Sequence, residues 1–334
     1  MKGMMNFFTS VKHNNIVITG LICVICIGFS FQANAEEGKL KKCLIVASYH
    51  MEFPGQRLKV EGARAVLKGK CEIRQFDMDT KRNPAPEFCR KKALEAKALI
   101  ESWNPDVVIA IEDNASKYLV KPYFKDAKIP FVFSGVDWTA KEYAYPYSNA
   151  TGMIETFPTK QLIKQIKRII PDVKTGVCIR GDRLSEKKCY QRYKRAYRKF
   201  NIEVTDRPVR SFDEFKKAYT DALASDFIIF QNYSGIKGWD DAEAKKFILD
   251  NSEKLVVSQL KWMADFSMVS ITQVIEEQGE YAAEVALKIL EGANPDDFPI
   301  IANRKWNIYI NKPLLEKVGI KIPRDLLHKA ERVK

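Results

Sequence analysis

The chain has 334 residues, enough for two ordinary domains, and its 46% apolar and 29% charged residues form a globular balance able to bury sizeable cores. No low-complexity segment or short repeat interrupts it, which sets aside disordered and solenoid chains. A formal charge of +13 suits an anionic membrane face, an acidic partner or an anionic ligand, or serves solubility alone.

The first element is a leader. Lys2 and Lys12 precede an apolar run from Ile16 to Phe31, followed by Ala33-Asn34-Ala35 and then Glu36-Glu37. A positive flank, a short apolar core and small residues before the acids predict a secretory signal cleaved after Ala35. The run is short for a span of about 20 residues and carries Thr19, Gly20 and Ser30. Export to a periplasm follows. Residues 1–35 hold two lysines and no acids, so the formal charge falls to +11 on cleavage.

Cleavage also leaves five of seven cysteines: Cys43, Cys71, Cys89, Cys178 and Cys189. No CxxC remains and the spacings fit no zinc site. An oxidising compartment permits disulfides, and an odd count leaves at least one thiol free. Cys43 and Cys178 lie in apolar strands and are expected as small buried thiols. Cys71–Cys89 and Cys178–Cys189 stand as possible pairs.

From Lys41 onward, apolar runs alternate with helical patterns. "KCLIVAS" predicts a strand, Arg57–Lys68 a helix ended by Gly69, and "CEIRQFDMD" a strand. Glu87–Trp103 is a helix entered through Pro86, Asp106–Glu112 a strand, Ala115–Phe124 a helix and Ile129–Gly135 a strand. After "NATGMIE" the pattern restarts. Thr159–Ile170 places Leu162, Ile163, Ile166, Ile169 and Ile170 on one helical face. "TGVCIRG", "NIEVTDRPV", Asp226–Asn232 and Lys254–Leu260 are strands. The helices among them are Glu186–Phe200, one opened by the capping-box pattern Ser211–Glu214, and Asp241–Asn251. A helix over about 277–291, the strand "KWNIYIN", a short helix and "IKIP" complete the chain. The basic stretch Lys187–Lys199 mixes cations with tyrosines. Its helical spacing makes it a solvated face over a buried stripe, so nucleic acid is not expected.

Short all-apolar strands between amphipathic helices predict parallel sheets covered on both faces, in two doubly wound α/β lobes. The break between them is expected near Tyr143–Ala150, rich in Tyr, Pro, Ser and Asn. In such sheets ligands lie beyond the carboxyl ends of the strands. The residues there are Ser48, Tyr49, His50, Asp113, Asn114, Asp137 and Trp138 in the first lobe, and Arg180, Asp182, Asn232, Tyr233, Lys261 and Trp262 in the second. Glu155 follows the strand that crosses between lobes. Tyr49, Trp138, Tyr233 and Trp262 offer stacking walls, and the carboxylates and amides offer hydrogen bonds. Asp113 and Asn114 serve equally well as helix caps, Asp137 as a turn former, and either tryptophan as core.

Enzyme templates fail. Of three histidines, His13 lies in the leader and His328 in the tail, so His50 has no imidazole partner for a metal site. There is no GxSxG and no GxGxxG after a strand, and Gly62 and Gly69 are six residues apart internally, not the four of a P-loop. No catalytic residue, metal or cofactor is expected.

The segments "PDVVIAIEDNASKYLV", "IPFVFSGVDW", "NATGMIE", "IIPDVKTGVCI", "ILEGANPDDFPI" and "WNIYINKPLLEKVGIKIPRDLL" occur in order. Together they resemble the ABC-transporter substrate-binding proteins of the tryptophan/tyrosine-binding type, over about residues 40–330. The resemblance implies a type I periplasmic binding protein fold, two lobes hinged by three crossovers and closing over a small ligand. The first crossover is expected near 140–153, the others near 264–272 and 296–304. The first lobe then holds 36–145 plus about 268–298, and the second 146–267 plus about 299–334. A small polar or aromatic metabolite and the permease of an ABC importer are the implied partners of a monomeric chain. "SYH…PG" and "EDNASKYL" resemble a subgroup that senses ligands for membrane signalling proteins, which keeps a sensor role as the alternative. Asp137-Trp138 stands where the family often carries Asp-Pro. An amino-acid ligand would need Arg180 or Lys261 as an anion clamp, with Asp113, Asp137 or Glu155 for its ammonium.

Overall fold

Alternating apolar and amphipathic runs become layered α/β lobes in the computed structural model, which describes residues 40–333. The expected leader and its cleavage point lie outside the described residues. Among those described, no helix is long and apolar enough to cross a membrane.

The first lobe begins with β1 (Lys41–Ala47), α1 (Pro54–Leu67), β2 (Cys71–Asp77), α2 (Pro86–Trp103) and β3 (Val107–Ile111). A π-helical turn (Ala115–Val120), α3 (Lys121–Tyr123), β4 (Phe131–Asp137) and β5 (Ala150–Glu155) follow. The helix expected over 115–124 is thus split. Pro122 has no N–H to donate, and the turn before it runs in the wider register. The second lobe contributes α4 (Thr159–Ile169), β6 (Thr175–Gly181), α5 (Leu184–Arg198), β7 (Glu203–Val209) and α6 (Phe212–Ala222). It continues with β8 (Phe227–Asn232), α7 (Asp241–Asn251), β9 (Leu255–Ser258) and β10 (Val269–Gln273). The chain then returns for α8 (Glu276–Leu290) and β11 (Ile301–Ala302). It ends with β12 (Trp306–Ile310), α9 (Lys312–Val318), α10 (Arg324–Lys329) and β13 (Glu331–Arg332) in the second lobe, while "IKIP" is irregular.

The first sheet runs β11-β5-β4-β3-β1-β2, parallel throughout. The second runs β13-β12-β10-β9-β8-β6-β7, antiparallel only between β10 and β12. Successive side chains of a strand point to opposite faces, and here both faces are covered. Leu44, Val46, Val108 and Ala110 pack toward α2, whereas Cys43, Ile45, Val107 and Ile109 pack toward α1 and α8. That is why the strands read as unbroken apolar runs. In the second sheet, Phe227 stacks on Tyr197 of α5, and Phe230, three residues on, stacks on Phe215 of α6. Ser211 caps α6 by accepting from Glu214 N at 3.2 Å.

Strand pairing moves each expected crossover. β5 pairs with β4 from Phe131–Ala150 to Asp137–Glu155, so the chain leaves the first lobe after Glu155, not before Ala150. The tyrosine-rich segment that resembled a linker is core. Tyr143, Tyr145 and Tyr147 are buried, Tyr145 stacks on Phe133 at 4.2 Å, and Asn149 Nδ2 donates to Phe124 O and Ile129 O. β10, expected in the first lobe, pairs with β9 and β12 in the second. Ile301 and Ala302, expected in the second, pair with Met153 and Ile154 of the first. The crossings therefore fall between Glu155 and Thr159, Gln273 and Glu276, and Ala302 and Trp306.

The disulfide also differs from expectation. Cys43 and Cys71 lie diagonally across the adjacent parallel strands β1 and β2, with Cα atoms 6.1 Å apart, and are joined. Cys89, Cys178 and Cys189 are free, so neither expected pair forms. Cys178 is the buried thiol its strand predicted.

Candidate functional site

The carboxyl ends of β1, β3, β4 and β5 bring a charged cluster to the hinge side of the first lobe. Its centre is Lys59 of α1, 2% exposed, whose ammonium pairs with both Glu112 and Glu155. Glu112 directly follows β3 and Glu155 ends β5. From the second lobe, Gln273 at the end of β10 donates its amide to the other oxygen of Glu155. One lysine thus links α1, β3 and the first crossing strand, and Glu155 links that strand to the second. Gln278, at the start of α8, accepts from Gly135 N at 2.9 Å and donates to Ile154 O at 3.3 Å. Gly135 has φ +69°, and a Cβ there would stand 2.9 Å from Lys59 Nζ. Only glycine leaves the ammonium its place.

Electrostatics follow from this crowding. Burial alone would lower the Lys59 pKa, but Glu112 and Glu155 overcome it and hold the lysine charged. Burial pushes Glu112 up to about 8; Lys59 opposes the rise and Glu155 adds to it. Asp137 is an exposed residue at the end of β4, yet the packing around its carboxyl, then Glu155 and Asp113, push it up to about 7 against Lys59 and Arg192. Asp113 is raised by burial although Tyr143 donates to it at 2.7 Å. Tyr49 is shifted upward by burial and then by the charges of Glu112, Asp113, Asp137 and Glu155. Glu112 and Trp138 hold left-handed backbone, φ 72° and 61°, which non-glycine residues adopt at a cost.

Several expected site residues join this cluster and others do not. Tyr49, Asp113, Asp137 and Glu155 converge. Trp138 lies beside them, edge-on to Phe157 at 5.4 Å, with the Arg192 guanidinium of α5 at 4.5 Å over its ring. That contact sets α5 of the second lobe against the strand ends of the first. Ser48 is fully buried, donating to Ile111 O and accepting from Ala115 N, so it joins β1 to the π-helical turn. Asn114 donates to Thr80 Oγ1 and caps no helix. His50 Nδ1 lies 3.2 Å from Asp79 Oδ1 without hydrogen-bond geometry, in a rim loop where Arg82 grips the same Asp79.

In the second lobe, Trp262 is 53% exposed and its Nε1 donates to Asn232 Oδ1 at 3.4 Å. Asn232 in turn donates to the buried Glu186. Tyr233 is not a free wall: it stacks on Trp239 at 5.0 Å within the aromatic core. Asp182 pairs with Arg210 on the surface, and Lys261 Nζ lies 5.8 Å over the Tyr309 ring. Arg180, expected alternatively with Lys261 as the anion clamp, is buried and held by both oxygens of Asp206 at 2.8 Å. Its guanidinium is therefore committed inside the lobe. Among the described residues, no group of three or more His, Cys, Asp or Glu is placed to hold a metal ion.

Sequence reasoning missed Lys59, Gln273 and Arg192 and left Glu112 out of the site. Lys59 carried a signal: with Gln56, Val60, Ala63 and Leu67 it falls on the buried stripe of α1, where an unpaired lysine is rarely tolerated. Gln273 and Arg192 carried none, because their roles depend on which strands cross and where α5 sits.

The family model described as ABC transporter substrate binding protein matches residues 46–334. Among solved structures, a conserved domain protein of Vibrio cholerae is 19% identical and covers 89% of this chain and 100% of its own, with a TM-score of 0.56. The ABC domain from Streptococcus pneumoniae in complex with L-Trp is 18% identical, covering 88% and 100%, with a TM-score of 0.55. The ligand-free, open structure of CD0873, a substrate binding protein with adhesive properties from Clostridium difficile, is 16% identical, covering 88% and 99%, with a TM-score of 0.68. No curated protein matches the chain.

Proposed function

The chain belongs to the ABC transporter substrate binding protein family, and from that premise we propose that it is an exported solute-binding protein whose ligand carries a protonated nitrogen on an apolar or aromatic body. The observation that carries the reading is the charge count at the first lobe's strand ends. Glu112, Asp113, Asp137 and Glu155 converge there, and Lys59 is already shared between two of them. Raised carboxyl pKa values mean that the cluster holds protons when no other cation is supplied. An ammonium placed beside Asp137 would replace those protons. Of the two expected clamps for a ligand carboxylate, Arg180 is neutralised by Asp206, which leaves the exposed Lys261, its ammonium 5.8 Å over the Tyr309 ring. Trp262, half exposed on the facing lobe, suits the apolar body. Contacts with both lobes exist only when they close, so binding energy favours the closed arrangement. Delivery to an ABC importer then follows from the family role.

Thermal-shift and calorimetric screens of primary amines, zwitterionic amino acids, nucleosides and carboxylic acids test the reading. An amine is expected to bind, and Asp137→Asn to weaken it about ten-fold or more, the loss of one charge-assisted hydrogen bond. Affinity should rise from pH 6 to 8, because Asp137, with a pKa of about 7, must lose its proton before it can hold the cation. Binding confined to carboxylic acids, or no ligand at millimolar concentration with folded protein, defeats the proposal.

A further inference from the structure

An excess of positive charge is gathered on two neighbouring helices of the second lobe. Residues 159–199, spanning α4, β6 and α5, hold fourteen Lys and Arg against three Asp and Glu. Residues 211–254, spanning α6 to α7, hold six against nine. α4 packs beside α5. α5 and α6 cover opposite faces of the second sheet, since Tyr197 and Phe215 stack on strand residues three apart.

On α5 the tyrosines Tyr190, Tyr193 and Tyr197 fill the core, and Lys187, Lys188, Arg195, Arg198 and Lys199 project outward, exposed. On α4, Leu162, Ile163 and Ile166 face inward and Lys160, Lys164 and Lys167 outward. None of these eight cations pairs with a carboxylate among the described residues. The acids of the stretch do not answer them: Asp182 pairs with Arg210, and Glu186 is buried against Gln231 and Asn232. Arg192 belongs elsewhere, turned to Trp138 and the first lobe.

We propose that the α4–α5 face seats the protein on anionic phospholipid headgroups. Protein interfaces are centred on aromatic or aliphatic anchors and depleted of charge. This face has neither property, the exposed Leu184 standing only at its edge. Eight outward cations on two neighbouring helices instead match a diffuse sheet of negative charge. A Lys or Arg held near such a surface strengthens binding about five-fold, and the effect fades within a Debye length of about 8 Å at physiological salt. The inference stands apart from the cleft and its ligand.

The test is co-sedimentation of the purified protein with vesicles of phosphatidylcholine alone or mixed with phosphatidylglycerol. Binding is expected only to the mixed vesicles and should weaken as salt rises. A variant carrying Lys187→Glu, Lys188→Glu, Arg195→Glu and Arg198→Glu should lose about 30-fold or more of that affinity. A control with the same change of charge on the first lobe, Lys68→Glu, Lys70→Glu, Lys91→Glu and Lys128→Glu, should lose about three-fold or less. Both variants are checked for unchanged thermal unfolding. Equal losses in the two variants, or no preference for phosphatidylglycerol, overturn the proposal. Binding to immobilised polyglutamate without binding to vesicles overturns it in favour of an acidic protein partner.

Discussion

A lysine buried between two glutamates concentrates most of what is unusual here. Taking Lys59, Glu112 and Glu155 out of water costs several kcal/mol per ion, offset only while the triad stays complete. Lys59→Met keeps the shape of the side chain and leaves two carboxylates facing each other. It should destabilise the protein by about 3–5 kcal/mol in guanidinium unfolding, as breaking a buried pair does elsewhere. Adding Glu112→Gln should restore part of the loss, because the amide stays neutral beside Glu155 without taking up a proton. No recovery would mean that the two side chains do not act as one unit. The ligand-free protein should also lose stability as pH rises through about 7 and 8. Asp137 and Glu112 bind protons in the fold that the unfolded chain has already released, so the stability they confer is present below about pH 4 and lost through their folded values. Tyr49, Asp113, Asp137 and Glu155 could be singled out from the sequence because each ends a strand or stands within two residues of its end. Lys59 was not singled out because it sits inside a helix, where a lysine normally faces water. Tyr233 and Asn114 misled for the converse reason: a polar or aromatic residue after a strand also finishes a core or ties a loop.

Secondary elements were readable wherever burial on both faces gave a strand an unbroken apolar run, as throughout β3 and in the middle of β1, β8 and β9. Their partners were not. Membership of β5 and β10 in one sheet or the other depends on hydrogen-bond register, which leaves no trace in composition. The tyrosines before β5 have the composition of a linker and the burial of a core. The α1–α8 contact shows how an element returning from the other lobe is seated. Gly279 lies against the α1 backbone so closely that a Cβ would stand 1.7 Å from Lys59 O, and one on Gly62 would stand 2.6 Å from Glu276 O. Backbone meets backbone there, so no side chain can move aside. Gly279→Ala is therefore expected to cost about 3 kcal/mol or more by overpacking, read in denaturant unfolding. An effect below about 1 kcal/mol would show that α8 slides freely on α1.

At the scale of the molecule, three short segments join the lobes, and side chains of the charged cluster tie two of them together. Glu155 closes the first crossing strand and Gln273 the second, and the amide of one rests on the carboxylate of the other. Lys59 fixes Glu155 to the first lobe, and Gln273 ties it to the second. Closure of a hinge is a shift between two populated arrangements, and a tie between crossings limits how far the open one departs. Gln273→Ala removes that tie and leaves the Lys59 pairs intact. Global stability should change by only about 1 kcal/mol, the worth of one hydrogen bond. Local opening is a different quantity from global unfolding and responds separately. Amide exchange in the segments 155–159 and 273–276 should therefore quicken by about five- to ten-fold, with exchange in β1 and β8 unchanged. Uniform quickening across both sheets would mean that Gln273 supports the fold at large. Unchanged exchange at the crossings would mean that Glu155 is held by Lys59 alone, and the second strand turns without restraint.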